Sequence, residues 1–280
     1  MRIAVTGASG FIGRHVLEQL VNRGLDVVAV SRRTEKLKPW QGRVVIVEMD
    51  TSEPADSAFD KLGRPDNLIH LAWEGLPNYE SVHHYEKELP RQYRFLKSLI
   101  EAGLPALFVA GTCFEYGMQS GPLAETAAAE PANPYGFAKD SLRRQLEYFR
   151  SAHPYALTWG RLFYSYGEGQ PGKSLYPQLK EAVLRKDKQF NMSEGEQLRD
   201  YLPIAEMARL IVELAVRKPD AGIVNICSGE PISVRRLVEF WLQENNWTIS
   251  LNRGFYPYPG HEPVAFWGDR RKLDALLASP

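Results

Sequence analysis

The chain has 280 residues, enough for one large domain or for a domain with an added lobe. Lysine and arginine together number 34 and aspartate and glutamate 34, so no net field gathers nucleic acid or an acidic membrane surface. The two cysteines, Cys113 and Cys227, give neither a disulfide framework nor a zinc site, no apolar run reaches the length of a membrane span, and a cytoplasmic protein without metal is expected.

Residues 3–5 form a short apolar run, expected as the first strand, too short and too soon interrupted for a signal peptide. Gly7, Gly10 and Gly13 follow, and Phe11, Ile12, Val16, Leu17 and Leu20 then recur at helical spacing. Strand, glycine turn and helix in that order deliver a helix N-terminus to a phosphate. Gly7 permits the tight turn, Gly10 lets backbone approach a pyrophosphate, and Gly13 lets the helix lie close to the strand. A bound dinucleotide is therefore expected here, with Ser9, Phe11 and Ile12 in the same loop. Residues 22–24 stop the helix, and a second strand over 25–30 ends in Ser31-Arg32-Arg33. An acidic side chain at this place would accept bonds from the adenosine ribose hydroxyls. A hydroxyl and two guanidiniums suit a 2′-phosphate instead, which points to NADP ahead of NAD. The alternative is that both arginines are solvated loop surface.

A third strand over 44–48 leads to Asp50, placed to cap the next turn or to meet the adenine amino group. A fourth, over 68–72, puts Leu71, Ala72 and Trp73 along the pyrophosphate–ribose bridge and leaves His70 as a packed strand residue. Residues 79–102 are helical, broken or restarted at Pro90, with Tyr93, Leu96, Leu99 and Ile100 as one apolar stripe. The fifth strand spans 106–110. Strands alternating with helices argue for an α/β fold with a parallel sheet covered on both faces, whose ligands sit beyond the carboxyl ends of the strands.

Thr112 follows that fifth strand, and Pro134 opens a helix beginning Tyr135-Gly136-Phe137-Ala138-Lys139. Tyr135 and Lys139 share one helix face. A phenol is a poor base at neutral pH alone, and a nearby ammonium and nicotinamide cation favour its ionised form. Taken alone, such a pair is more often ordinary surface than catalytic. A sixth strand over 155–163 carries Leu162 to the cofactor side. A loop is expected over 164–172, a helix over 176–186, an extended stretch over 189–192 and a helix over 204–216. A seventh strand over 223–226, a helix capped by Ser233, an aromatic proline-rich loop over 256–266 and a last helix capped by Asp269 complete the chain. The dinucleotide-binding domain is placed at 1–166, with 200–228 returning to it, and a substrate lobe at 167–199 and 229–280.

Thr6-Gly7-x-x-Gly10-x-x-Gly13, the hydroxyl after the fifth strand and Tyr135-x-x-x-Lys139 occur in an order that resembles the extended short-chain dehydrogenase/reductase family. The likeness is to its NAD-dependent epimerase/dehydratase branch, which acts on nucleotide sugars. Residues 161–167, 195–201 and 225–229 resemble later motifs of that branch, so the likeness covers nearly the whole chain. It implies a Rossmann-like doubly wound parallel sheet with a smaller C-terminal substrate-binding lobe. It further implies Tyr135 as acid/base, Lys139 lowering its pKa and holding the nicotinamide ribose, and Thr112 aligning the sugar oxygen. Arg199 is expected near the nucleotide phosphates, and Phe114, Tyr164, Gln178 and Glu262 as contacts of the sugar nucleotide. A homodimer pairing the helices near 93–100 and 135–149 is implied as well. The branch's 4,6-dehydratases carry Asp-Glu directly after the threonine, whereas this chain has Cys113-Phe114, which argues against dehydration. Cys113 is also one place early for the epimerising cysteine of the GDP-fucose synthase type. The expectation is an NADPH-dependent reductase of a 4-keto nucleotide sugar. The alternatives are an epimerase using the same three residues and a non-catalytic dinucleotide sensor.

Overall fold

A computed structural model describes residues 1–51, 57–217, 220–258, 260 and 263–279. The strands β1 (Arg2–Thr6), β2 (Asp26–Ser31), β3 (Val45–Glu48), β4 (Asn67–His70) and β5 (Ala106–Thr112) join two later ones, Ala156–Leu162 and Gly222–Ile226, in one sheet. Its order is Gly222–Ile226, Ala156–Leu162, β5, β4, β1, β2, β3, and every pairing is parallel. The chain winds outward from β1 in both directions, so a crevice opens beyond the carboxyl ends of β1 and β4.

The period-2 alternation of buried strands decides which helix each side chain meets. Ile3 and Val5 of β1, and Val27 and Ala29 of β2, pack under α1 (Phe11–Asn22). Ala4, Val28 and Val30 face the other way, in the core that also buries α2 (Ala58–Lys61), α3 (Leu89–Glu101) and α4 (Pro134–Phe149). A third core, built on Leu179, Phe190, Leu237 and Trp241, lies between α5 (Leu175–Leu184) and α7 (Val234–Glu244). The helix α6 (Ile204–Arg217) and the last one, α8 (Arg271–Ala278), close the first core. Among the described residues no helix is long and apolar enough to cross a membrane. Both cysteines are free and buried.

Several elements depart from the sequence reading. The fifth strand runs two residues further, so that Thr112 is its last residue, paired with Leu162. The stretch 79–102 is a π-helical turn, His84–Glu88, followed by α3 with Pro90 in its first turn, so Pro90 restarts the helix. The loop expected over 164–172 begins with a strand, Tyr164–Tyr166, parallel to Leu198–Pro203, which in turn meets Pro231–Ser233. Three residues are too few to carry a period, and the strand is held by its neighbour: the rings of Tyr164 and Tyr201 lie 5.2 Å apart. Asp269 precedes α8 and accepts a bond from the Arg271 amide at 3.0 Å. Ser233 caps α7 as expected, accepting from the Arg236 amide at 3.3 Å.

Candidate active site

The crevice is a cavity of about 360 Å³ at the switch point of the sheet. Gly7 adopts φ +68°, and a Cβ at Gly13 would stand 2.2 Å from the Gly7 carbonyl oxygen, so α1 meets β1 only because that atom is missing. No side chain caps α1, which leaves its first amides turned to the cavity end. Gly7, Ser9, Gly10, Ser31, Arg32 and Arg33 line the near wall, and Asp50, Leu71, Ala72 and Trp73 line the far one. Phe11, Ile12 and Leu162 pack instead against the core on the α1 side. The Ser31 hydroxyl lies 2.8 Å from that of Ser9 and accepts from the Arg33 amide at 3.0 Å.

Behind the cavity wall at Trp73, α4 carries Tyr135 in its first turn, and Thr112, Tyr135 and Lys139 do not themselves line the cavity. Asn133 caps this helix, its Oδ1 accepting from the Gly136 amide at 2.8 Å, and Pro134 presets the first turn. The Tyr135 amide donates to the Tyr79 carbonyl at 3.1 Å, and the Thr112 side chain acts on the Tyr135 phenol by lowering its pKa. The Tyr135 ring sits among Trp73, Tyr79, His84 and Phe114, at centroid distances of 6.0, 5.6, 5.2 and 6.3 Å. Lys139, one turn on, donates from Nζ to the Ala110 carbonyl at 2.9 Å and lies 3.9 Å from the Trp73 ring centre. The three residues expected to act together are thus adjacent.

Beneath them lies a buried ionic layer. Glu115 accepts from the Thr112 amide at 2.9 Å, from Trp159 Nε1 at 2.9 Å and from Arg161 Nε at 2.7 Å. Together with the Thr112 hydroxyl, which accepts from the Phe114 amide at 3.3 Å, it closes a capping box that fixes Thr112 at the strand end.

Within the protein itself, burial dominates the electrostatics of this pair. Burial pushes the Tyr135 phenol above its usual range, with Tyr79, Glu115 and Cys113 adding to the rise and the Thr112 side chain opposing it. Burial also pushes the Lys139 ammonium down to about 7, against the pull of Glu115 and Glu88. Tyr135 is a protonated donor in this setting.

The remaining sequence-derived residues are scattered. Tyr164 lies 6.4 Å from Phe114, ring to ring, and 6.0 Å from Phe266. Arg199 is buried, donates from Nη1 to the carbonyls of Leu198 and Val264, and stands 4.8 Å over the Phe266 ring. Gln178 faces a separate hollow of about 300 Å³ with Arg185, Asn191 and Tyr256. Glu262 lies outside the described residues. Asp200, beside Arg199, is fully buried and accepts from the amides of Ser228, Gly229 and Gly268 and from the Ser228 hydroxyl.

The cavity also has walls that the sequence reading missed. Glu88 and Gln92 line it, both buried, with Glu88 Oε2 and Gln92 Oε1 lacking a hydrogen-bond partner among the described residues. Two polar residues four apart, Glu88 just before α3 and Gln92 in its first turns, were the available signal. Glu74, in the loop after β4, and Lys36, in a 3₁₀ helix over Thr34–Trp40, line it too.

A doubly wound sheet with this cleft, glycine turn and buried tyrosine–lysine pair defines a nicotinamide-dinucleotide enzyme of the α/β class. Residues 3–227 match the NAD dependent epimerase/dehydratase family, and the chain belongs to it. It is 32% identical over 270 residues to the dTDP-6-deoxy-L-talose 4-dehydrogenase (NAD(+)) of Aggregatibacter actinomycetemcomitans, covering 96% of this chain and 99% of that one. It is 25% identical to the dTDP-6-deoxy-L-talose 4-dehydrogenase (NAD(P)(+)) of Kitasatospora kifunensis, over 99% of this chain and 88% of that one. Among solved structures, MoeE5 in complex with UDP-glucuronic acid and NAD superposes with a TM-score of 0.84 at 26% identity, covering 99% of this chain and 92% of that one. The protein is an NAD(P)-dependent oxidoreductase or epimerase.

Proposed function

We propose that the protein reduces the 4-keto group of a nucleotide sugar, with NADPH as the expected reductant and NADH as the alternative. The bound dinucleotide supplies the hydride. Tyr135 gives its proton to the alkoxide that forms at sugar C4, and Thr112 orients that oxygen from the opposite side. Lys139 restores the phenol's proton balance and offers its ammonium to the nicotinamide ribose. The observation that carries this reading is the buried Tyr135, packed edge-on against Trp73 of the cleft and one helical turn from Lys139, with Cys113 and Phe114 where elimination would need two acids. The relatives named as 4-dehydrogenases support chemistry at C4. The sugar nucleotide is proposed to lie between this site and the segments 167–199 and 229–280, with Phe114, Tyr164 and Arg199 as its contacts.

The test is to mix purified protein with NADPH or NADH and a 4-keto-6-deoxy sugar nucleotide, and to follow loss of the reduced nicotinamide. Net oxidation with formation of the 4-hydroxy sugar is expected. Interconversion of 4-hydroxy epimers with no net cofactor consumption would overturn the reading in favour of an epimerase.

A further inference from the structure

We infer that Glu74 sets which dinucleotide the cleft prefers, by holding Arg32 in an ion pair that a 2′-phosphate would have to break. Arg32 follows β2 and Glu74 follows β4, the two strands that flank β1, so the pair crosses the mouth of the crevice. Arg32 Nη1 contacts Glu74 Oε1 directly and lies 3.9 Å from Asp50 Oδ2. Two carboxylates thus surround the guanidinium that the sequence offers to an anion. Glu74 is not a loose partner. Its amide donates to Glu88 Oε1 at 3.0 Å, and Glu88 is fully buried and also takes a bond from Gln92 at 2.7 Å. Its other oxygen lies 4.0 Å from Arg91 Nη1.

The rest of the basic rim is arranged differently. Arg33 and Lys36 line the same cavity, and neither has a carboxylate partner among the described residues. An adenosine 2′-phosphate in the cleft would meet Arg33 and Lys36 ready to bind, but Arg32 already neutralised and the Glu74 carboxylate beside it. A phosphate dianion is penalised by that carboxylate, whereas a neutral 2′-hydroxyl is not. The Arg32–Glu74 pair therefore moderates a site that its arginines alone would commit to NADP.

The inference rests on the cleft being the dinucleotide site and not on the sugar reaction, so it is tested by binding alone. Affinities of NADPH and NADH are measured calorimetrically for the full chain, for Glu74→Gln, for Arg32→Ala and for the double variant. Glu74→Gln is expected to move the NADPH-to-NADH affinity ratio about fivefold toward NADPH, the scale of one exposed ion pair. Arg32→Ala moves it the other way or leaves it, and Glu74→Gln produces no further gain in the Arg32→Ala background. An unchanged ratio in Glu74→Gln overturns the inference. So does an equal gain in the Arg32→Ala background, because Glu74 would then act without Arg32.

Discussion

Tyr135 and Lys139 are both driven toward their uncharged forms, and each shift has a measurable sign. Tyr135→Phe removes only the hydroxyl, so turnover is expected to fall by about 10²–10⁴-fold while dinucleotide binding, read by calorimetry, persists. Lys139 titrates at about 7 in the folded chain against an ordinary 10.5. The unfolded chain thus holds the extra proton between those values. The stability linked to this group is full above 10.5 and is lost as the pH falls through 7. Lys139→Met is expected to flatten the rise of unfolding free energy over that window, by at most about 1.4 kcal/mol per pH unit. Denaturant titrations at stepped pH measure this, and an unaltered slope would show that the ammonium is solvated. The pairing of these two residues was legible in the sequence as a four-residue spacing. Their protonation was not, because it depends on how completely Trp73, Tyr79, His84 and Phe114 exclude water, and those residues arrive from separate segments.

At the level of elements, the site depends on where α4 starts and where β5 stops. Asn133→Ala removes the cap of α4 and is expected to cost about 1 kcal/mol, with a rise in KM or a fall in kcat as Tyr135 shifts from Thr112. Glu115 ends β5 by binding the Thr112 amide, and Glu115 and Arg161 are both almost wholly buried, 0% and 1% exposed. Glu115→Gln leaves the guanidinium only Asp140, 4.0 Å from Nη2, as counter-charge and is expected to lower unfolding free energy by about 3 kcal/mol, measured by denaturant melts. The long elements with a clear period, β1, α1, α3, α4 and α6, could be read from sequence because their buried faces repeat. Short strands such as Tyr164–Tyr166 could not, since their pairing is decided by partners more than thirty residues away. The acidic residue at 115 carried a local signal, three places after Thr112, but its partners Trp159 and Arg161 come from another strand.

Across the whole molecule, acid sensitivity is concentrated where the sheet is most buried. His70, at the end of β4, is fully buried with Nδ1 2.8 Å from the Thr6 hydroxyl, and burial, reinforced by the Lys139 charge, pushes it down to about 3. Its contribution is complete above the ordinary value of 6.5 and drains away as the pH falls toward 3. His70→Gln is expected to shallow the acid limb of a stability–pH curve within that interval while leaving the alkaline side alone. The parallel sheet and a ligand crevice beyond its carboxyl ends followed from the alternation of strands and helices. The arrangement of the later segments did not, because it is set by single contacts between distant stretches. Asp200 is the plainest of these. One carboxylate gathers amides from positions 228, 229 and 268, so three lengths of chain converge on a single anion. A nascent chain shorter than 268 residues would hold that anion with one of its donors missing, and the segment around it could not finish assembling until Gly268 had been made.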